Sequence, residues 1–446
     1  MPFHRLAACP LLLLACAGAP AIAADAAPPL DDSARSQIAL RLQNGEVASM
    51  VVAVIDGKQS AVYGFGKAGA QAPDGDTVYE IGSISKTMTA LLLAQAVQQG
   101  QLQLDQPVSA LLPAYTVPAF DGQAITLRDL ATQTSGLPRL PANLAPQRPD
   151  NPYAGYTAAD LRTFLAGYRL TRKPGAVYEY SNLGYGLLGV ALAGQAGKPY
   201  GELVRERIAA PLGMRDTAIA LTPALRARLA PGTTAAGQPA ANWDFDAIAG
   251  AGAVRSTAHD MVRYVGAMME AKDGYGLVQQ PQRPVGNGMR IALGWHLSDV
   301  RGTPVVWHNG GTGGYASFAG FSADGRRGVV VLSNRAIPVD AIAMAALVPG
   351  APPAQTAVTL TAEALAAYNG RYELAPGFVL SVAAAEQGLR VQATGQPPFP
   401  ARASALDAFF LTAVDARLTF RRNAAGQVDG VVLHQNGRET PGKKIE

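Results

Sequence analysis

Two strand-rich stretches lie at opposite ends of a long helical stretch, and this order constrains the fold more than any other feature of the chain. Residues 50–66 read as two β-strands that turn at Asp56-Gly57, a dipeptide typical of hairpins. Strand-like runs return at 304–309 and 328–334. Helical patterns fill the interval, at about 83–99, 127–134, 158–167, 183–195, 200–208 and 257–271. The pattern predicts an α+β or α/β fold with strands on both sides of a mostly helical middle.

The chain changes character after a segment rich in Pro and Ala at 348–357. From Tyr368 to His434, short runs of alternating polarity are separated by Gly, Pro or Asn turns. We therefore expect a domain at 24–348, a linker at 349–360 and a C-terminal domain at 361–446 that forms a small antiparallel barrel or sandwich. This segment has one histidine and no clustered carboxylates, so we expect it to pack, shield or bind rather than to catalyse.

The amino terminus has the pattern of an export signal. Arg5 precedes an apolar block at 11–16, and Ala21-Ile22-Ala23 offers a small-residue cleavage site, so residues 1–23 are predicted to be a signal peptide. Both cysteines, Cys9 and Cys16, lie inside it, and cleavage would leave a chain without disulfides or thiolate sites. The predicted location is periplasmic or secreted. The alternative is a lipid anchor at Cys16, since residues 13–16 resemble a lipobox.

Composition and motifs exclude several classes of function. A formal charge of +4 is spread over 446 residues without a basic run, which argues against nucleic-acid binding. The glycine pattern at 64–69 closes a hairpin instead of opening a helix, so a dinucleotide site is not predicted. The sequence contains neither H-E-x-x-H nor G-x-S-x-G. We expect no cofactor and no metal, and a small molecule or a peptide as the substrate.

Ser83 and Lys86 stand three residues apart where an apolar helical pattern begins. Residues three apart share one face of a helix, which places the hydroxyl and the amine about one turn from each other. A serine becomes a nucleophile when a base accepts its proton, and a lysine can be that base once burial and the helix terminus lower its pKa from about 10.4. The alternative is that Ser83 caps the helix and Lys86 points into solvent.

Tyr180 and Asn182 flank one serine just before another apolar helical pattern. In an extended segment two such residues project to the same side. A lysine nearby would favour the phenolate, which makes Tyr180 a candidate second base or proton shuttle. Asn182 can accept a hydrogen bond from Lys86 and donate one to a substrate carbonyl. The alternative is an ordinary turn with Tyr180 in the core.

His308 ends a strand-like run that continues into Gly310 and Gly311. The bare backbone of these glycines would let a flat substrate lie against the strand, and the Gly311 N–H could complete an oxyanion hole. A lone histidine is more often structural, and this reading of His308 stays open. His259 is expected in the first turn of a helix capped by Ser256.

These three elements, Ser83-x-x-Lys86, Tyr180-x-Asn182 and His308-x-Gly310, resemble in order and spacing the class C β-lactamases and their relatives among penicillin-binding D-alanyl-D-alanine peptidases and esterases. Stretches at 125–138, 250–261 and 293–297 look similar too, and the likeness covers about residues 30–345. The tail after residue 360 is similar to small β-barrels appended to some of these relatives. The resemblance implies an antiparallel sheet flanked by helices, a mostly helical subdomain and a cleft between them.

The resemblance also implies roles. Ser83 would form the acyl-enzyme, Lys86 and Tyr180 would pass its proton to the leaving group, and Asn182 would orient the acyl amide. The Ser83 and Gly311 N–H groups would hold the oxyanion, with His308 and Gly310 on the strand beside the substrate.

One departure affects the expected substrate. Most β-lactamases carry Lys-Thr-Gly where this chain has His308-Asn309-Gly310. The lysine supplies positive charge for the substrate carboxylate, and a histidine is only partly charged near neutral pH. The departure favours peptide or ester hydrolysis over efficient β-lactam turnover.

The function expected from the sequence is therefore that of an exported serine hydrolase acting on D-alanyl peptides or β-lactams. One alternative is an esterase or D-amino-acid amidase that uses the same residues. The other is a penicillin-binding sensor that is acylated without turnover.

Overall fold

A computed structural model describes residues 27–144, 148–271, 275–286, 288–350, 357–386, 388–396, 398–411, 416–435 and 438–446. The predicted signal peptide at 1–23, with Cys9 and Cys16, lies outside the described residues, and so do residues 351–356 of the predicted linker. The domain boundaries stay predictions. Within the described ranges, none of the helices combines the length and the apolar character that a membrane span requires.

Ten α-helices are described, and several match the predicted ranges closely. In chain order they are α1 (Asp32–Gln43), α2 (Ser85–Gln98), α3 (Leu127–Ala131), α4 (Ala158–Gly167), α5 (Asn182–Ala196), α6 (Tyr200–Val204), α7 (Pro223–Ala227), α8 (Ala258–Glu270), α9 (Asp340–Leu347) and α10 (Ala362–Ala366). The helix predicted at 200–208 is α6 followed by a π-helical turn at Arg205–Ala209. The predicted cap of α8 was wrong, because the Thr257 side chain, and not that of Ser256, accepts the N–H of Asp260.

Twenty strands are described, and the first twelve belong to the part of the chain before residue 350. These are β1 (Ser49–Asp56), β2 (Gln59–Gly66), β3 (Val78–Glu80), β4 (Ala119–Phe120), β5 (Gln123–Ala124), β6 (Arg255–Thr257), β7 (Arg283–Gly286), β8 (Met289–Ile291), β9 (His296–Val300), β10 (Thr303–Gly311), β11 (Ala316–Ser322) and β12 (Arg327–Ser333). Eight of them form one sheet in the order β2-β1-β12-β11-β10-β9-β8-β7. The pairings in this sheet are antiparallel.

Strand β1 shows why the sheet is covered on both faces. All of its residues except the last are buried, so its side chains must alternate between two apolar layers. Met50, Val52 and Val54 belong to the layer that holds α1 and α9. Val51, Ala53 and Ile55 belong to the layer that holds α8 and the helical region. The antiparallel sheet therefore lies between two layers of helices.

The helical region is organised around α2. Residues 85–94 of this helix are all buried, which its run of Ala, Leu and Met predicts, and it packs against α5 and α6. The hydroxyls of its two buried threonines have hydrogen-bond partners in distant parts of the chain, since Thr87 bonds to Tyr264 and Thr89 to Tyr200. Helix α2 therefore gives residues at its amino terminus a rigid base beside the sheet.

The C-terminal residues form a closed antiparallel barrel of eight strands. The strands are β13 (Gly370–Ala375), β14 (Phe378–Ala385), β15 (Gly388–Ala393), β16 (Phe399–Ala405), β17 (Ala408–Leu411), β18 (Ala416–Arg422), β19 (Val428–Gln435) and β20 (Arg438–Lys444). Pairing of β13 with β20 closes it. Alternate residues such as Leu380 and Val382 point into its core. Of the two predicted architectures, the barrel is confirmed.

Candidate active site

Ser83 lies in a short 3₁₀ turn, Gly82–Ile84, between β3 and the start of α2. Gly82 has a φ of +50°, a left-handed conformation that favours glycine, and a Cβ there would lie 2.7 Å from the Gly311 backbone nitrogen. The turn is therefore pressed against the end of β10. Ser83 is half-buried, whereas the neighbouring Ser85 is fully buried and accepts the Val254 N–H. Of these two serines, Ser83 is the one that solvent reaches.

Lys86 is fully buried and aims its amine at Ser83. Its Nζ lies 3.0 Å from the Ser83 Oγ, 2.8 Å from the Asn182 Oδ1 and 2.7 Å from the Ala251 carbonyl oxygen. Burial lowers the pKa of Lys86 well below its usual value, and the charge of Arg139 lowers it further. A neutral amine has two N–H groups and one lone pair. Asn182 and Ala251 take the two N–H groups, which leaves the lone pair facing the Ser83 hydroxyl.

Asn182 is the first residue of α5, where Ser181 caps the helix by accepting the Gly184 N–H. Its Oδ1 accepts from Lys86, as predicted from the sequence. Its Nδ2 donates to the Tyr153 hydroxyl at 3.2 Å, a partner that the sequence did not suggest. This second bond fixes which end of the amide faces Lys86.

Tyr180 completes the group around Ser83. Its ring centroid lies 4.8 Å from the Lys86 Nζ. The predicted preference for the phenolate was wrong. Burial raises the pKa of Tyr180 well above its usual value of 10.0, and this effect outweighs the lowering of the pKa by the nearby Ser83 hydroxyl. Because Lys86 is itself neutral, it provides no cation to stabilise the anion, and Tyr180 is a neutral phenol.

His308 lies behind this group, and it carries less charge than the sequence suggested. The side chain is only 2% exposed, and its Nδ1–H donates to the Asn309 carbonyl at 2.5 Å. Burial, then His296 and Lys86, hold the pKa of His308 well below its usual value. The prediction of a partly charged histidine was therefore wrong, because His308 is neutral at pH 7.

A second histidine, His296, was missed as a member of the site. Its ring centroid is 5.0 Å from that of His308, and its Nε2 lies 3.1 Å from the Tyr178 hydroxyl. Burial lowers the pKa of His296 to about 4. His296 belongs to the stretch 293–297 that resembles the family, but its position in the sequence does not indicate that β9 brings this ring beside β10.

Gly310 lies where β10 meets the segment that leads into Ser83. A Cβ at this position would lie 2.0 Å from the Ile81 carbonyl oxygen and 2.4 Å from the Ser317 Oγ. Protein atoms therefore occupy the space that a side chain would need, and the expected position of Gly310 beside the substrate stays a prediction. Gly310 lets β10 approach the segment that leads into Ser83. The expected oxyanion role of the Gly311 N–H stays a prediction.

Arg139 stands at the rim of the site and was also missed. Its carbonyl oxygen accepts the N–H groups of Asn182 at 3.0 Å and Leu183 at 3.3 Å, which fixes its backbone to the start of α5. Its guanidinium carbon lies 5.1 Å from the Tyr180 ring centroid. The side chain is exposed. The stretch that resembles the family, 125–138, ends one residue before it.

The arrangement supplies the parts of nucleophilic catalysis. Ser83 offers a half-exposed hydroxyl, Lys86 an unprotonated amine 3.0 Å away, and Tyr180 a protonated phenol whose ring centroid is 4.8 Å from that amine. A weak nucleophile, a base and a proton donor thus lie together. The predicted residues Ser83, Lys86, Tyr180 and Asn182 are brought together by the structure.

Comparison with known proteins gives two family matches. Residues 34–349 match the family model described as Beta-lactamase. Residues 354–444 match a model described as a domain of unknown function, DUF3471.

Individual relatives support the first match. The Escherichia coli (strain K12) protein named D-alanyl-D-alanine-carboxypeptidase/endopeptidase AmpH is 32% identical over 310 residues, which cover 64% of this chain and 79% of that protein. A Pseudomonas fluorescens protein named Beta-lactamase is 26% identical over 337 residues, covering 67% of this chain and 91% of that protein.

Solved structures share the fold. The β-lactamase/D-alanine carboxypeptidase of Yersinia pestis, solved with citrate, has a TM-score of 0.60 and 27% identity, and covers 67% of this chain and 92% of its own. A class C β-lactamase from Rhodobacter sphaeroides has a TM-score of 0.61 and 24% identity, and the match covers 70% of this chain and 97% of that protein. These likenesses confirm the fold expected from the sequence, with an antiparallel sheet flanked by helices.

Proposed function

Because this chain belongs to the beta-lactamase family of serine hydrolases, we propose that it is exported and forms an acyl-enzyme on Ser83 with D-alanyl peptides or β-lactams. The observation that carries the proposal is that the half-exposed Ser83 hydroxyl lies 3.0 Å from the buried amine of Lys86, which is unprotonated and can accept a proton. The pattern of residues 1–23 supports export.

The acylation step follows from the geometry. The Ser83 Oγ attacks the substrate carbonyl while its proton passes to the lone pair of Lys86. The neutral phenol of Tyr180 protonates the leaving group as the old bond breaks, and Lys86 then returns a proton to Tyr180. The net change is one proton moved from Ser83 to the leaving group, with one ester bond formed. Water attacks this ester in the second half of the reaction through the same groups in reverse.

The carbonyl oxygen becomes negative during both steps. The backbone N–H of Ser83 and that of Gly311 are the donors we assign to it, since Gly82 holds their two segments in contact. Asn182 is fixed by Lys86 on one side and Tyr153 on the other, and we assign to it the orientation of the acyl group.

Two observations bear on the substrate. The 32% identity to a D-alanyl-D-alanine carboxypeptidase/endopeptidase supports D-alanyl peptides. The neutral His308 supports a second candidate function, hydrolysis of small esters or D-amino-acid amides, because this histidine provides no positive charge for a substrate carboxylate.

Hydrolysis of three substrates by Ser83→Ala and the wild type tests the proposal. A chromogenic cephalosporin, a D-alanyl-D-alanine peptide and a short-chain nitrophenyl ester distinguish the candidate substrates. Ser85→Ala is the matched control, because Ser85 is the neighbouring serine but is fully buried. We expect Ser83→Ala to abolish every activity that the wild type shows and Ser85→Ala to retain it. Equal activity of Ser83→Ala and wild type on all three substrates would show the assignment to be wrong.

Labelling with a fluorescent penicillin separates an enzyme from a sensor. A label on Ser83 that disappears with time indicates turnover. A label that persists, together with inactivity on all three substrates, indicates a penicillin-binding sensor.

A further inference from the structure

We propose that Arg139 binds the carboxylate that D-alanyl peptides and β-lactams both carry. This inference rests on the proposed function and adds to it the residue that selects anionic substrates. It assigns a role to an exposed arginine that the acyl-transfer chemistry does not use.

The position of Arg139 is fixed by its backbone. Two N–H groups at the start of α5, those of Asn182 and Leu183, donate to its carbonyl oxygen. The preceding residue is held as well, because the Ser181 hydroxyl donates to the Pro138 carbonyl at 2.6 Å. The backbone of Arg139 is thus fixed to the same end of α5 that positions Asn182.

The guanidinium group lies beside the reacting centre. Its carbon is 5.1 Å from the ring centroid of Tyr180. The same centroid is 4.8 Å from the Lys86 Nζ, which lies 3.0 Å from the Ser83 Oγ. Its charge reaches the interior of the site, since it lowers the pKa of Lys86 and contributes in the same direction at Tyr180. A substrate anion bound to this guanidinium would have its carbonyl within reach of Ser83.

The other basic groups of the site cannot do this. Lys86 is fully buried, and Ser83, Asn182 and Ala251 occupy its amine. Burial keeps the pKa values of His296 and His308 below 6.5, so neither ring is a cation at neutral pH.

Within the described residues, Arg139 also has no acidic side chain as an ion-pair partner. Among the ion pairs of the described residues, Arg172 is bound to Glu179, the neighbour of Tyr180 in the chain, whereas Arg139 takes part in none. An exposed guanidinium presents a planar fork of N–H donors that matches a carboxylate in two parallel hydrogen bonds. The group is therefore charged, free and accessible at the edge of the site.

Two thioester substrates that differ only in charge test the inference. One is an acyl-D-alanyl thioester of mercaptoacetate, whose leaving group carries a carboxylate. The other is the methyl ester of the same compound, which is neutral. Release of thiol is measured for both with the full chain, so that kcat/KM is compared for one acyl group and one reacting bond.

The variants are Arg139→Gln and a matched control, Arg162→Gln. Arg162 on α4 is also exposed and also lies over a tyrosine ring, 5.5 Å from the Tyr115 centroid. We expect Arg139→Gln to lower kcat/KM about tenfold for the anionic thioester, the size expected for one partly exposed charge-assisted contact. The neutral thioester should change less than about threefold on the same grounds, which also shows that the variant is folded. Arg162→Gln should match the wild type on both.

The outcomes separate this inference from the function on which it rests. An equal loss on both thioesters would overturn it, since Arg139 would then act on the catalytic groups and not on the carboxylate. Unchanged rates on both would overturn it as well. Turnover of both thioesters that persists in Ser83→Ala would instead refute the proposed function, and the inference with it.

Discussion

The amine of Lys86 lies 3.0 Å from the hydroxyl of Ser83, and the lysine is fully buried while the serine is half-exposed. A charged amine in this place would need a carboxylate partner, and its contacts among the described residues are a hydroxyl, an amide oxygen and a backbone carbonyl. The neutral form is favoured for this reason. Lys86 is therefore already in the neutral form that can accept a proton, and it lies next to a serine that substrate can reach.

Tyr180 is expected to stay protonated throughout the physiological range, since burial raises its pKa above 10.0. Tyr180→Phe should remove the proton donor and lower the acylation rate roughly 10²- to 10⁴-fold. The ultraviolet difference spectrum between wild type and Tyr180→Phe should show no phenolate below pH 9. A phenolate band that is present only in the wild type at pH 7 would mean that Tyr180 acts as an anionic base instead.

Tyr153 is expected to position Asn182 through the 3.2 Å hydrogen bond from Nδ2. Tyr153→Phe keeps the ring, which stacks on Phe245 with centroids 4.7 Å apart, but leaves Nδ2 without this acceptor. The amide is then free to turn its Nδ2 toward Lys86, and we expect acylation to slow about tenfold, in line with the loss of one hydrogen bond.

The control for this change is the thermal midpoint, which should move by only a few degrees because the ring packing is kept. Wild-type acylation rates in Tyr153→Phe would show that Lys86 alone holds Asn182.

The pH dependence of stability should report His296. Its folded pKa is about 4, below the value of 6.5 that we take for the unfolded chain, so the unfolded chain binds more protons between these values and stability rises with pH across this window. His308 acts in the same direction. Unfolding by denaturant should show a gain of about 3 kcal/mol from His296 between pH 4 and pH 7.

His296→Gln removes the titrating ring and should flatten this slope, with the remaining slope due to His308 and to other groups. An identical pH profile for wild type and His296→Gln would contradict the low pKa.

Much of the candidate site could be predicted from short-range spacing. Ser83 and Lys86 meet because residues three apart lie about one helical turn from each other. Ser181 between Tyr180 and Asn182 caps α5, so Asn182 is the first residue of that helix and Tyr180 lies just before it. Hairpin and helix signals likewise predicted β1, β2 and α4 with bounds close to those observed.

The partners that depend on tertiary approach could not be predicted. Tyr153, Arg139 and His296 come from three separate segments, and their side chains have no spacing that relates them to Ser83. The charge state of Tyr180 was also out of reach. The sequence suggested that a nearby lysine would favour the phenolate, but burial raises the pKa of Tyr180. The lowered pKa of Lys86, in contrast, agrees with the expectation for a lysine buried at the start of a helix.

Gly310 should not tolerate a side chain. In Gly310→Ala the new Cβ would lie 2.0 Å from the Ile81 carbonyl, so β10 and the Ser83 turn must separate. We expect a loss of about 1–3 kcal/mol in the free energy of unfolding and a large loss of acylation.

Gly266→Ala on α8 is the matched control, because nothing lies within 4 Å of the new methyl group. This change should stabilise the protein by about 0.5–1 kcal/mol, since alanine favours a helix interior. Full activity and stability in Gly310→Ala would show that the two segments are not in close contact.

The rate at which a fluorescent penicillin acylates Lys86→Met tests the central claim most directly, because methionine is unbranched, is only one atom shorter than lysine and has no base. Lys67→Met, at an exposed lysine, is the control. If the neutral amine of Lys86 accepts the Ser83 proton, acylation should fall roughly 10²- to 10⁴-fold in Lys86→Met and stay at the wild-type rate in Lys67→Met. Acylation of a folded Lys86→Met protein at the wild-type rate would contradict this account.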